Sequence, residues 1–144
     1  MLVQHILKTK GDDGVVTVLP GSSVAQVAEL LSARRIGAVI VSRDGKHAEG
    51  IVSERDIVRE LGRRGTASLA DPVERVITVR LIACSRADTA RDVLVKMTEG
   101  RFRHMPVIEE GEMIGLISIG DVVKARLAEM AAEREALVDM IKGH

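Results

Sequence analysis

An α+β fold made of two copies of one β-α-β-β-α unit is predicted by three observations. A nine-residue stretch occurs twice, as Gly50-Ile51-Val52-Ser53-Glu54-Arg55-Asp56-Ile57-Val58 and as Gly115-Leu116-Ile117-Ser118-Ile119-Gly120-Asp121-Val122-Val123. Each copy reads glycine, two aliphatics, Ser-x-x-Asp, two aliphatics, with the aspartates 65 residues apart, and strand and helix patterns recur in the same order around both copies. At 144 residues, 46% hydrophobic and 29% charged, the chain has the size and apolar content of one globular unit or of two small halves sharing a core.

Val3 to Leu7 reads as a short helical turn, and Lys8 to Gly14, with Gly11-Asp12-Asp13-Gly14, as a turn-rich loop. Val15 to Val18 is a β-branched strand. Ser22 or Ser23 then caps a helix whose apolar positions Val24, Val27, Leu30 and Leu31 fall at helical spacing, running to about Arg35. Ala38 to Val41 is an uninterrupted apolar run suited to a strand buried on both faces, Asp44-Gly45 is a hairpin-like turn, and Glu49 to Val52 is the partner strand. Ser53 opens a helix to Leu61, and Gly62-Arg63-Arg64-Gly65 is its stop and the linker.

The second half repeats this order. Pro72 to Ile77 parallels Val3 to Leu7, Leu81 to Cys84 the first strand, Thr89 to Glu99 the first long helix, and Met105 to Ile108 the apolar strand. Glu110-Gly111 matches Asp44-Gly45. The repeat divides the chain into residues 1–65, 66–128 and a helical extension, 129–144.

The repeated corner where strand meets helix carries the chemistry. One reading is a capping box, in which the Ser hydroxyl accepts from a first-turn N–H and the acid three residues on answers it. The other is a nucleotide site, because a helix N-terminus beside a strand end gathers free N–H groups for phosphate while an Asp there can chelate ribose hydroxyls. Two copies in matching contexts favour the nucleotide.

Composition excludes several classes. Lys plus Arg and Asp plus Glu are 21 each, for a formal net charge of +0, so no overall field attracts nucleic acid or an anionic membrane. With no Trp, no Tyr and one Phe, stacking platforms for single strands are lacking. No apolar run approaches a membrane span, and the start lacks a signal pattern. The lone Cys84 fits a reducing compartment, and the chain reads as cytoplasmic. His5, His47, His104 and His144 lack metal-ligand spacing and Cys84 has no base beside it, so neither a metal nor an enzyme is expected. Local basic clusters remain at Arg34-Arg35, Arg63-Arg64 and Arg101-x-Arg103-His104.

The duplicated unit resembles the paired cystathionine-β-synthase-type, or CBS, domains. The resemblance is carried by Phe102-Arg103-His104-Met105-Pro106-Val107, the turn Glu109-Glu110-Gly111 and Gly115-Leu116-Ile117-Ser118-Ile119-Gly120-Asp121, and it covers about Val3 to about Arg126. It implies a pseudo-twofold pair packed sheet to sheet, with clefts that bind adenosyl ligands without chemistry on them. Carried over, the main cleft would use Ser118 and Asp121 for phosphate and ribose and Arg103 and His104 for phosphate, with Val16, Thr17, Gly37, Ala38 and Leu116 as its adenine wall. The mirror cleft would use Ser53 and Asp56, with Thr78, Ile82 and Ala83 as its wall, Ile51 behind the ribose and Arg55 in the central channel. That second cleft reads as the poorer one, because Gly37-Ala38 stand where Arg103-His104 stand in the other half and Phe102-Arg103 would intrude. AMP or NAD is favoured as ligand, with ATP, ADP and S-adenosylmethionine behind.

From Asp121 onward the chain is a long helix candidate, and Val123, Leu127, Met130, Arg134, Leu137 and Ile141 make a heptad-like stripe interrupted by Arg134. It reads as a dimer-stabilising helix or a docking surface. The expected function is a homodimeric sensor that binds an adenosyl ligand and signals to a separate regulated protein. The alternative is an interaction module that keeps the fold without the ligand.

Overall fold

Where the sequence alternates short apolar runs with capped amphipathic segments, the chain forms two small sheets, each covered by its own helices. The computed structural model describes residues 1–11 and 14–143, so the Asp12-Asp13 part of the first expected loop lies outside the described residues. In order the elements are α1 (Val3–Lys10), β1 (Thr17–Val18), α2 (Val24–Arg34), β2 (Ala38–Val41), β3 (Gly50–Ser53), α3 (Glu54–Arg64), α4 (Ala90–Gly100), β4 (His104–Glu109), β5 (Glu112–Ser118) and α5 (Ile119–Ile141). Two 3₁₀ turns, Gly65–Ala70 and Val73–Arg75, link the halves.

The first sheet has the order β1-β2-β3, with β1 parallel and β3 antiparallel to β2; the second pairs β4 antiparallel with β5. All four β2 residues are buried, as its unbroken apolar run requires. The caps follow the sequence: Ser23 accepts from Gln26 N at 3.1 Å and Thr89 from Asp92 N at 3.1 Å. Glu110-Gly111, with φ of 51° and 79°, makes the tight β4–β5 turn.

Four local expectations are corrected. The first helical turn continues to Lys10, so the loop starts only at Gly11. Helix α3 runs through Gly62 and ends at Arg64. Asp44-Gly45 is no two-residue hairpin turn, because the Asp44 carboxylate accepts from Lys46 N and His47 N, both at 2.8 Å, and so organises a wider loop.

The fourth correction is that Leu81 to Cys84 forms no strand, only one bridge from Cys84 to Val107. Cys84 N donates to Pro106 O at 3.0 Å and Ile108 N to Cys84 O at 2.9 Å. In the first half the equivalent ladder also has Ile40 N donating to Val16 O at 3.2 Å, but Pro106 stands at the matching place and has no N–H to give.

Each half has its own core, and the segments before the repeats are exchanged between them. Val3 and Ile6 of α1 join Val93, Met97, Met105, Val107 and Ile117 of the second half, while Val73 joins Val24, Val27, Val39 and Val52 of the first. Matching hydrogen bonds lock the exchange, Val3 N to Asp88 O at 2.8 Å and Val73 N to Ser22 O at 2.7 Å. The repeated glycine of each corner now has a cause. A Cβ on Gly50 would lie 2.3 Å from Ile77 Cδ1, and one on Gly115 would lie 2.5 Å from Leu7 Cδ2. Only glycine lets the exchanged segment approach the strand so closely.

Candidate functional site

Both Ser-x-x-Asp corners are reciprocal capping boxes. Ser53 Oγ accepts from Asp56 N at 3.3 Å while Asp56 Oδ2 accepts from Ser53 N at 2.9 Å and from the Ser53 hydroxyl at 3.0 Å. Ser118 Oγ accepts from Asp121 N at 3.1 Å while Asp121 Oδ2 accepts from Ser118 N at 2.8 Å. Each corner is closed by a backbone bond to the start of the neighbouring strand, Glu54 N to Gly37 O at 2.9 Å and Ile119 N to Arg103 O at 2.8 Å. The caps explain why Ser and Asp occur at this spacing, and they leave the two corners unequal in what surrounds them.

At the Asp121 corner a cavity of about 260 Å³ is lined by Val16, Gly37, Ala38, His104, Leu116 and Ser118 from the expected set, together with Lys10, Arg35 and Ile36. Thr17, Arg103 and Asp121 do not line it. Lys10 holds the corner from within the chain, its Nζ donating to Asp121 Oδ2 at 2.7 Å and to Leu116 O at 2.8 Å. Burial works to raise the Asp121 pKa, but Lys10 and the Ser118 N–H outweigh it and hold the carboxyl below its ordinary value. The sequence reading assigned Lys10 to a loop and so missed it; the continuation of the α1 pattern past Leu7 was the available signal.

At the Asp56 corner the cavity is about 340 Å³ and includes Ile51, Ser53, Arg55, Asp56, Thr78 and Ile82 of the expected set, while Ala83 lies outside it. Phe102 lines this cavity without filling it, because the ring lies against Gly100 and packs on the second core. Arg59, Arg80, Arg101 and Arg103 join Arg55 on its walls, five arginines beside the two acids Glu54 and Asp56. Arg59 approaches Asp56 Oδ1 at 3.6 Å. Among the described residues the ion pairs formed by arginine involve Arg43, Arg59, Arg63, Arg64, Arg86 and Arg126, so Arg55, Arg80, Arg101 and Arg103 stand unpaired on this cavity.

Arg103 and His104 were expected to act together, yet neighbours along an extended chain face opposite ways. Arg103 turns to the Asp56 cavity, and His104 lies between the two and touches both. Its imidazole rests on Gly37, where a Cβ would be 3.0 Å from Nε2. Burial pushes the His104 pKa down, with Glu54 opposing, so the ring is neutral at pH 7 and brings a hydrogen bond rather than a charge. Among the described residues no group of three or more His, Cys, Asp or Glu could hold a metal ion, and no helix is long and apolar enough to cross a membrane.

A duplicated α+β unit with exchanged segments and a cleft at each strand-to-helix corner defines a pseudo-twofold tandem module. The chain belongs to the CBS domain family, whose model matches residues 10–63 and 73–128. It is 30% identical over 148 residues to the mitochondrial CBS domain-containing protein CBSX3 of Arabidopsis thaliana, covering 98% of this chain and 72% of that protein. Other Arabidopsis relatives are longer, and this chain spans 21–24% of their length. Among solved structures, a CBS-domain-containing protein from Agrobacterium tumefaciens shares 44% identity at a TM-score of 0.83, covering 88% of this chain and 99% of that one. A CBS domain protein from Pyrobaculum aerophilum complexed with AMP shares 26% identity at a TM-score of 0.77, covering 92% and 99%.

Proposed function

We propose that this chain is a non-catalytic regulatory module that binds a phosphate-bearing adenosyl ligand in the Asp56 cleft. The observation that carries the reading is charge: four arginines with no ion pair among the described residues line one cavity with Asp56 and a helix N-terminus, whereas Asp121 is already held by Lys10. The preference between clefts drawn from the sequence is therefore reversed. The base lies against the aliphatic side chains of Ile51 and Ile82, the ribose hydroxyls on Asp56, and the phosphate toward Arg55, Arg80, Arg101 and Arg103. A volume of about 340 Å³ falls at the lower end of the ~300–1,000 Å³ usual for small-molecule sites. AMP is the first candidate because a 26%-identical relative is complexed with it. NAD, ADP and ATP carry the same adenosine and phosphate, while the sulfonium of S-adenosylmethionine suits five arginines poorly.

Ligand binding alters a separate regulated protein by favouring one arrangement of the module, with a coupling equal to the ligand's differential affinity for the two arrangements. The module acts as a homodimer, and its buried, unpaired Cys84 is in keeping with a reducing compartment such as the cytoplasm. The two complete capping boxes favour a second reading, an interaction module in which Ser-x-x-Asp serves only the fold. A thermal-shift panel of AMP, ADP, ATP, NAD and S-adenosylmethionine separates the two. A rise in Tm with a phosphate-bearing member supports the sensor; no rise with any member supports the interaction module.

A further inference from the structure

The two halves differ in how their hairpins turn. Glu110-Gly111 carries β4 tightly into β5, whereas the loop from β2 to β3 takes residues 42–49 and reaches across to the other half, where Lys46 O accepts from Met113 N of β5 at 2.7 Å. A cluster of polar groups shapes that loop. Asp44 Oδ1 accepts from the Ser42 hydroxyl at 3.1 Å and from Lys46 N and His47 N, both at 2.8 Å. Ser42, only 2% exposed, accepts in turn from Gly45 N at 3.0 Å. The other carboxylate oxygen, Asp44 Oδ2, lies 2.6 Å from His47 Nδ1. We propose that this loop is a proton-operated clasp: protonated His47, set between Asp44 of its own loop and Glu112 of β5, holds Lys46 O on Met113 N and so ties the first half to the edge of the second sheet.

The charges facing His47 are Asp44 and Lys46 from the loop and Glu112 from β5, while Arg43 and Glu49 at the root of the loop pair with each other at 3.1 Å. The hydrogen bond and charge of Asp44, with a smaller part from Glu112, raise the His47 pKa above its ordinary 6.5 against desolvation and Lys46. Hydrogen bonds from His47 and Lys46 hold the Asp44 carboxyl well below the usual carboxylate range, so Asp44 stays charged while His47 titrates near neutral pH. A raised pKa means that the clasp is fully set below about pH 6.5 and is lost as pH rises through the folded value. Neutral His47 can still donate to Asp44, but it no longer attracts Glu112, and two acids then flank an uncharged ring. None of Asp44, His47, Glu112 and Met113 lines either cleft, so the clasp acts on how the halves are held and does not rest on the ligand-binding reading.

Amide hydrogen exchange of Met113, followed by NMR on the full chain and corrected for the intrinsic rate at each pH, tests the proposal. Relative to the amides of β2, wild type is expected to protect this amide about two- to fivefold more at pH 6 than at pH 8, the range that an exposed ion pair supports. In His47→Gln, which offers Asp44 an amide donor without a charge, the difference is expected to vanish while far-UV circular dichroism is unchanged. In Glu112→Gln it is expected to shrink, and the His47 midpoint, read from the imidazole proton shifts, to fall. Equal relative protection at the two pH values in wild type, a difference that persists in His47→Gln, or a difference and a His47 midpoint both indifferent to Glu112→Gln would overturn the proposal.

Discussion

Replacing Lys10 by Met removes one cation from the Asp121 corner and leaves an aliphatic stem of similar length. Lys10 Nζ makes two bonds, 2.7 Å to Asp121 Oδ2 and 2.8 Å to Leu116 O, with the two side chains 38% and 25% exposed. Hydrogen bonds to charged groups contribute about 1.5–3 kcal/mol and solvent-exposed ion pairs about 0.2–1 kcal/mol. With Lys10 more than a third open to water, screening brings the pair to about 1 kcal/mol, or about 3 °C in Tm for a chain of this size. Asp121 has its carboxyl pKa lowered from 3.8 in the folded chain, so this stabilisation is present above 3.8 and is lost as pH falls through the folded value. The assay is urea unfolding of wild type, Lys10→Met, Asp121→Asn and the double variant at pH 7 and at low pH. Asn keeps an acceptor for the Ser118 N–H while losing the charge, so the cycle isolates the Lys10 contact. A coupling near zero at pH 7, or one that survives at a pH where Asp121 is protonated, would refute the assignment of Lys10 as the group that holds this corner.

Other consequences are as direct. Gly50→Ala sets a methyl 2.3 Å from Ile77 Cδ1 and 3.2 Å from Thr78 O, and should cost about 1–3 kcal/mol in thermal or urea unfolding. Adding Ile77→Ala to it should cost less than the sum of the two single changes, because each relieves the other. Since burial lowers the His104 pKa, the folded state takes up this proton less readily than the unfolded chain. Stability from this group is full above about pH 6.5 and falls as pH drops through the folded value, and His104→Gln should flatten that part of the stability–pH curve.

Local pattern carried most of the fold. The all-apolar run Ala38 to Val41 is β2 residue for residue, the Ser23 and Thr89 caps open α2 and α4, and the Ser-x-x-Asp repeats mark both corners. Leu81 to Cys84 misled because the same apolar signal takes no account of the partner strand, where Pro106 lacks the donor that Ile40 supplies. The sequence ranks the Asp121 cleft ahead of the Asp56 cleft, the opposite of the order proposed above. The contact that separates them joins Lys10 to Asp121 across 111 positions, and the exchange of α1 into the other half brings it about. Of the cavity's arginines, Arg101 and Arg103 stand out in the sequence as a cluster and Arg55 comes with the resemblance, whereas Arg59 and Arg80 carry no such signal. The side to which Arg103 turns relative to His104 is a choice of face that residue spacing leaves open until the start of β4 is known.

Isothermal titration of AMP into wild type, Asp56→Asn and Asp121→Asn tests the central claim most directly. Each Asn keeps the cap while removing the carboxylate charge, so a change in binding speaks for the ligand rather than the fold. The account predicts one site per chain in wild type, at least about tenfold weaker in Asp56→Asn and retained in Asp121→Asn. Loss in Asp121→Asn with retention in Asp56→Asn, or binding indifferent to both, would contradict it.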